Sequence, residues 1–277
     1  MLSRTDAAIP GGPFLEHPFL RPSPKFRHAP FVAAALLELG GQLQQQGESR
    51  LAPSSEADSF VRSNPFAFLL AVLLDQGVPA ERAFTAPLLL RQRLGHLSPR
   101  RIVREPARLR RAMRLSPMPH RYPDQSSTWI LAASRRVVQE LEGQTDRLWA
   151  DSPTARALRN RLERFDGIGQ KKAAMAVEIL ARDLGVEVHE LSGSDVAVDV
   201  HIRRVFLRTK LASVDTIDEI VSVARRAHPE RPGELDIPAW VVGRTWCRPR
   251  SPKCGTCPIS WACPSATSIS LDSIGHV

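Results

Sequence analysis

Four cysteines near the C-terminus constrain the structure of this chain more than any other feature. They follow the spacing C-x6-C-x2-C-x5-C and are the only cysteines in the 277 residues: Cys247, Cys254, Cys257 and Cys263. Short loops cost little closure entropy, so four thiolates this close together can surround one metal centre. Zinc usually takes two C-x2-4-C pairs, and only the middle pair here has that spacing. A 4Fe–4S cluster fits best, with zinc or two disulfides as alternatives.

The charge of the chain favours a polyanionic partner. The formal net charge is +9 and the sequence pI is about 10.2. Lysine and arginine neutralise phosphates, so nucleic acid is the expected partner, although basic residues also form solvated faces. No apolar stretch approaches the roughly 18 residues of a membrane span, and no signal peptide is evident. We therefore expect a cytoplasmic, nucleoid-associated protein without membrane contact, in a compartment where disulfides are rare.

Recurring helix-start signals predict an all-α fold. Six prolines stand where a helix could begin, after Asn64, Val78, Ser98, Glu105, Ser152 and Ile237. Helical patterns lie near 30–46, 65–75, 79–94, 125–142, 153–164, 170–184, 200–209 and 216–227. The proline-rich residues 1–28 form a tail whose composition is compatible with disorder. The polar stretch from Gln42 to Asp58 is interpreted as a linker, and only Val186–Val188 could form a strand.

A glycine pair marks a helix-hairpin-helix at 160–177. The sequence Gly167-Ile168-Gly169 separates two helical patterns and is followed by Gln170 and Lys171. Two glycines let the backbone approach a phosphate, and the N–H groups at the start of the second helix face the anion. A lone Gly-x-Gly is more often a helix-capping turn. With the cysteine loop, the pattern indicates DNA binding.

The cysteine loop with Gly243-Arg244, this hairpin and the later V-D-x-H-x-x-R-V motif together resemble endonuclease III and its relatives. The resemblance to this helix-hairpin-helix DNA glycosylase superfamily covers roughly residues 60–264. It implies two helical lobes with DNA across the cleft between them. We expect a helical core at 63–195 and a lobe at 196–264 that holds a structural 4Fe–4S cluster. An N-terminal helix and linker at 29–62 would pack with the cluster lobe, and 265–277 would be a tail.

The resemblance also implies two catalytic residues. Lys171 matches the lysine that attacks the sugar C1′ in lyase-competent members and forms a Schiff base. Asp199 matches the essential acid, whose carboxylate stabilises the cationic sugar. The alternatives are a phosphate contact for Lys171 and a helix N-cap for Asp199. The longer stretch between the hairpin and Asp199 leaves their relative placement to be tested.

Further residues are expected to contact DNA or the target base. The resemblance places Gln76 where a glutamine fills the gap left by a flipped nucleotide. His120 and Tyr122 stand where this sequence departs from the family, and Tyr122 could stack on the flipped base or belong to the core. The other residues expected to contact DNA are Gly167, Gly169, Gln170, Lys172, Arg203, Arg248, Arg250 and Lys253.

The sequence therefore predicts a monomeric base-excision-repair DNA glycosylase with AP lyase activity. The substrate would be double-stranded DNA with a damaged or mismatched base, and our best estimate is a damaged pyrimidine. Adenine-specific relatives lack a lysine at the position of Lys171, which argues against that branch. A monofunctional glycosylase for alkylated or deaminated bases is one alternative. A non-catalytic iron–sulfur protein that binds DNA or senses redox state is the other.

Overall fold

Helices make up the regular structure of the chain. The computed structural model describes residues 29–45 and 50–266, and within these ranges it contains twelve α-helices and no named strand. The helices are α1 (Ala29–Gln45), α2 (Ser55–Ser63), α3 (Pro65–Leu74), α4 (Ala80–Leu94), α5 (Pro99–Arg104), α6 (Pro106–Arg114), α7 (Pro123–Glu140), α8 (Ala155–Glu163), α9 (Gln170–Arg182), α10 (Val200–Arg208), α11 (Ile217–Ala227) and α12 (Asp236–Thr245). The predicted all-α class is confirmed.

Two local predictions were wrong. The segment Val186–Val188 is not a strand, and nearby only an isolated bridge joins Thr154 to His189. The stretch interpreted as a linker, Gln42 to Asp58, includes the end of α1 and the first turn of α2, which begins at Ser55 because the Ser54 hydroxyl accepts a hydrogen bond from the Ala57 N–H at 3.2 Å. A polar composition concealed a short amphipathic helix.

The first hydrophobic core is built around α3. Asn64 caps this helix by accepting from the Ala67 N–H at 2.9 Å, and Pro65 occupies its first turn. Its residues from Phe66 to Leu74 are all buried. Helices α2 and α4 to α9 surround it and form one contiguous apolar cluster. No single helix in the described ranges could span a membrane, although the bent pair of α2 and α3 reaches the required length and apolarity.

A second core joins α1 to α10, α11 and α12 and to the cysteine loop. Helix α1 packs on α12, where Gly40 lies against Pro238. Helices α10 and α12 approach closely at Gly243, where an added Cβ would lie 2.7 Å from the Cβ of His201. Helix α1 thus lies in this core, whereas α2, in the same predicted unit 29–62, lies in the first.

Buried ion pairs hold the two cores together. Asp195, only 2% exposed, contacts Arg159 of α8 in one lobe and Arg225 of α11 in the other. Across the same boundary, Arg231 donates a hydrogen bond from Nη2 to Oε2 of Glu178 in α9 at 3.0 Å. Because unpaired buried charges are costly, these contacts favour one relative placement of the lobes.

Candidate functional site

A cavity of about 600 Å³ lies between the lobes. The loop after α3 and helix α9 form one wall, and the starts of α10 and α12 form the other. The charged residues of its lining include Asp75, Lys171, Glu178, Asp199 and Asp236. The structure therefore brings Lys171 and Asp199, 28 positions apart in sequence, to a single cavity.

Lys171 lies in the first turn of α9, and its side chain is 33% exposed. Its Nζ donates a hydrogen bond to Oδ2 of Asp75, whose side chain is only 7% exposed. Sequence reasoning missed Asp75. The signal was an acid at the end of the apolar helix α3, immediately before Gln76.

Asp199 is both a helix cap and part of the cavity wall. Its Oδ1 accepts from the backbone N–H groups of His201 at 2.7 Å and Ile202 at 2.9 Å, at the start of α10. Asp199 also lines the cavity that contains the Lys171 side chain. The two interpretations of this acid therefore do not exclude each other, because capping orients the carboxyl group that faces the cavity.

The hairpin turn has the geometry that a close backbone approach requires. Gly167 has a φ of +88°, and a Cβ there would lie 2.9 Å from the Trp129 ring. Ile168 is buried and anchors the turn, whereas Gly169 is exposed and no atom lies within 4 Å of an added Cβ. The open space at Gly169 lies at the N-terminus of α9, where backbone N–H groups favour an anion.

Lys172 is buried, and the prediction that it binds DNA was wrong. Its Nζ donates to the carbonyl oxygens of Leu73 and Gly167, both at 2.7 Å, and to Oε1 of Gln76 at 3.1 Å. The ammonium group also lies 5.3 Å from the centre of the Trp129 ring. These contacts occupy its three hydrogens and fasten the hairpin to the end of α3.

The charge of Lys172 is nevertheless close to the site. Burial lowers the pKa of Lys172 to about 8, Asp75 opposes the shift, and the positive charge of Lys171 contributes to it. Lys172 thus places a second positive charge beside Lys171.

The side chain of Gln170 also faces inward. Its Nε2 donates to the carbonyl of Val196 at 2.9 Å, and its Oε1 is buried. The expectation of a DNA contact through this side chain is corrected, because the amide instead links α9 to the segment that leads to Asp199. Gln76, in contrast, is exposed, although its Oε1 accepts from Lys172 and the residue is not part of the cavity lining.

His120 and Tyr122 are absent from the cavity lining; burial of His120 excludes direct contact with a base, and stacking of Tyr122 on a base stays a prediction. His120 is fully buried, and its Nε2 makes a hydrogen bond to the Gln76 carbonyl at 2.8 Å. Tyr122 is 51% exposed. The guanidinium carbon of Arg121 lies over the Tyr122 ring, 4.9 Å from the ring centre. His120 supports the loop that carries Gln76, and Tyr122 lies on the surface beside Gly77.

Asp236 is a second acid that sequence reasoning missed. It begins α12, and its Oδ1 accepts from the Ala197 N–H at 2.8 Å. Burial raises the pKa of Asp236 to about 7. The Ala197 hydrogen bond opposes this shift, as does Lys171, whereas Asp199 contributes to it. The carboxyl group is therefore partly protonated near neutral pH.

The four cysteines converge on one side of the second lobe. They are unpaired, partly buried, and line one apolar void beside Val205 and Ile259. Burial raises the pKa of Cys257 to about 11, and the other three cysteines contribute. Arg208 donates from Nη1 to Sγ of Cys247 at 3.7 Å. Across residues 29–45 and 50–266, no three His, Cys, Asp or Glu side chains are placed to hold one ion.

Four converging sulfur donors suit iron–sulfur chemistry, in which each thiolate binds a different iron. The basic side chains of the loop, Arg248, Arg250 and Lys253, are exposed. Arg203 is also accessible, with 38% of its side chain exposed, and is paired with Asp215 at 2.6 Å.

Sequence comparison finds DNA glycosylases. A mouse adenine DNA glycosylase is 29% identical over 136 residues, which are 47% of this chain and 23% of the mouse protein. A human adenine DNA glycosylase is 27% identical over 148 residues, 51% of this chain and 23% of that protein. The chain thus spans less than a quarter of the length of these relatives. No protein-family profile matches it.

Structural comparison covers most of the chain. A trapped endonuclease III–DNA covalent intermediate has a TM-score of 0.62 and 18% identity, covering 86% of this chain and 96% of the other. A thermostable thymine-DNA glycosylase has a TM-score of 0.61 and 16% identity, covering 87% and 98%. The resemblance stated from the sequence is confirmed at the level of the fold.

Proposed function

We propose that this chain, which has the fold of helix-hairpin-helix DNA glycosylases, excises a damaged base from double-stranded DNA and then cleaves the abasic strand. The observation that carries the proposal is the single cavity between the lobes that contains both Lys171 and Asp199. A volume of about 600 Å³ suits a nucleotide flipped out of the duplex. The partly exposed Lys171 amine is accessible to such a nucleotide.

The two residues have separate tasks. The Asp199 carboxylate, oriented by the N-terminus of α10, stabilises the positive charge that develops on the sugar as the glycosidic bond breaks. The Lys171 amine attacks C1′ as the base departs with the bonding electrons, which gives a Schiff base and permits β-elimination. Both tasks require the same nucleotide to contact the two lobes.

The remaining residues support binding of the duplex. Phosphate would bind at the exposed turn around Gly169, at the start of α9. Gln76 is exposed between the cavity-lining residues Asp75 and Gly77 and would fill the gap in the base stack. The basic side chains Arg248, Arg250 and Lys253 would contact the backbone, and Arg203 would join them by exchanging its Asp215 partner for phosphate.

The four cysteines are proposed to hold a 4Fe–4S cluster. When bound, such a cluster would cross-link the cysteine loop and would take no part in removal of the DNA base. Purified protein should then be brown, with visible absorbance and iron and sulfide in comparable amounts. A colourless preparation containing zinc would contradict this assignment.

The identity of the base is the least constrained part of the proposal. A damaged pyrimidine is our first candidate, because Lys171 matches the lysine of lyase-competent family members. The sequence relatives are adenine glycosylases and one structural relative is a thymine-DNA glycosylase, so these bases belong in the same test. A monofunctional glycosylase for alkylated or deaminated bases is the second candidate, and it would leave no covalent intermediate.

A panel of duplexes, each with one lesion, tests the proposal in the presence and absence of borohydride. The wild-type protein should excise at least one lesion and form a reduced covalent adduct. Lys171→Gln should lose the adduct, and Asp199→Asn should lower excision about a hundredfold or more. Lys210→Gln, which changes an exposed lysine outside the cavity, is the matched control. Excision without any adduct would favour the monofunctional candidate.

A further inference from the structure

Asp75 is the carboxylate in contact with the Lys171 amine. Its Oδ2 accepts the hydrogen bond from Nζ, whereas Oδ1 of Asp199 is engaged with the backbone of α10. Schiff-base chemistry needs a neutral amine, so a proton must leave Lys171 before Nζ can attack. The acceptor already in contact with that proton is Asp75.

The end of α3 fixes the position of the Asp75 carboxylate beside the Lys171 amine. Its backbone N–H bonds to the Val72 carbonyl at 3.2 Å and ends α3, so the carboxylate lies at the negative end of that helix dipole. The helix that precedes it is apolar and buried, and the Asp75 side chain is itself only 7% exposed. The carboxylate is therefore held, largely shielded from solvent, in hydrogen-bonding contact with the Lys171 amine.

We propose that Asp75 is the general base that deprotonates Lys171. The proton passes from Nζ to Oδ2, leaving a neutral amine and a neutral carboxyl group. The Nζ lone pair then forms a bond to the C1′ carbonyl carbon of an abasic site, and water leaves as the imine forms. This role rests on the proposed lyase function. It assigns the activation of Lys171 to Asp75 and leaves Asp199 to stabilise the sugar.

The proposal is tested by removing the Asp75 carboxylate by mutation and supplying a small carboxylate in solution. Borohydride trapping on abasic-site duplex should slow about a hundredfold in Asp75→Ala, within the range that a general base contributes. Sodium formate should restore much of the rate, because the small carboxylate enters the vacated space. Asp75→Asn should be equally slow but insensitive to formate, since the amide fills that space. Asp151→Asn, which alters an exposed aspartate paired with Arg161, is the control.

A DNA-free experiment separates this inference from the proposed function. Pyridoxal 5′-phosphate with cyanoborohydride should label Lys171 of the whole protein, as located by peptide mass spectrometry. Labelling should fall about tenfold in Asp75→Ala and recover with formate, while labelling of Lys210 stays constant. This pattern in a protein that excises no base would sustain Asp75 and refute the glycosylase proposal. Trapping or labelling of Lys171 in Asp75→Asn at or above the wild-type rate would overturn the role of Asp75.

Discussion

At the scale of single residues, the carboxyl groups that line the cavity have different hydrogen-bond partners and different burial. Asp199 accepts two backbone N–H bonds at a helix N-terminus, whereas Asp75 ends a helix and contacts an ammonium group. Asp236 is buried beside Asp199 and binds the Ala197 N–H. Acids with such different surroundings are suited to different tasks in one reaction.

Asp236 should make the stability of the fold depend on pH. Its folded pKa, raised by burial from 3.8 to about 7, means that the folded state holds a proton that the unfolded state releases between those values. Its contribution is therefore fully present below pH 4 and is lost as the pH rises through 7. In Asp236→Asn this loss disappears, because the amide does not ionise, and its oxygen can still accept from the Ala197 N–H.

Chemical denaturation at pH 5 and pH 8 measures this effect. The free energy of unfolding of Asp236→Asn, relative to wild type, should be higher at pH 8 than at pH 5. Asp215→Asn, at an exposed aspartate, should show no such change. An equal difference at both pH values would show that Asp236 is ionised throughout this range.

The sequence identified the site only as far as its local motifs reach. Lys171, Asp199 and the four cysteines belong to compact patterns, and the structure places the first two in one cavity. Asp75 escaped notice because its partner lies 96 positions away, and only the packing of α3 against α9 brings them together. Lys172 was misassigned because the orientation of α9 decides which of two adjacent lysines faces the interior.

At the scale of elements, the six proline signals lie within two residues of the starts of six of the twelve described helices. Asn64-Pro65 begins α3, and the hairpin turn connects α8 to α9 where the glycines indicated. Helices α5 and α6 begin at the prolines that follow Ser98 and Glu105, but their arginine-rich sequences concealed the helical period. Capping is local chemistry, whereas the choice of buried face depends on the rest of the fold.

The two hairpin glycines should respond differently to alanine. Gly167→Ala places a Cβ in a left-handed backbone and 2.9 Å from the Trp129 ring, so it should lower the free energy of unfolding by about 2 kcal/mol. Gly169 has a φ of −108° and open space around an added Cβ, so the stability of Gly169→Ala should match that of wild type. Its affinity for duplex DNA should fall, because the methyl group obstructs the phosphate.

Thermal or chemical denaturation, paired with a DNA-binding titration, checks both variants. If Gly169→Ala bound undamaged and abasic duplexes as tightly as wild type, this turn would not contact the backbone. If Gly167→Ala were as stable as wild type, the turn would not need its left-handed conformation.

At the scale of the whole molecule, the proposed function depends on the placement of two separately packed lobes. Each lobe has its own hydrophobic cluster, and the cavity has walls from both. Asp195 is the buried acid that bridges them through Arg159 and Arg225. A resemblance in motif order indicated two lobes, but no local pattern revealed this bridge.

Asp195→Ala should therefore weaken both stability and catalysis. Loss of the acid leaves two arginines facing each other at a buried boundary, so the free energy of unfolding should fall by about 3 kcal/mol. The excision rate should fall by more than DNA affinity, since the misplaced lobes would separate Lys171 from Asp199. Denaturation and single-turnover excision measure the two effects. Asp151→Ala, at an exposed pair, should alter neither.

The most direct test of the account is to locate the covalent bond between protein and DNA. The wild-type protein is incubated with lesion-containing duplex and borohydride, digested, and sequenced by mass spectrometry. The account predicts one nucleotide-modified peptide, with the sugar on Nζ of Lys171, and none in Lys171→Gln. An adduct on another amine, or excision with no adduct at all, would contradict the assignment of Lys171 as the nucleophile.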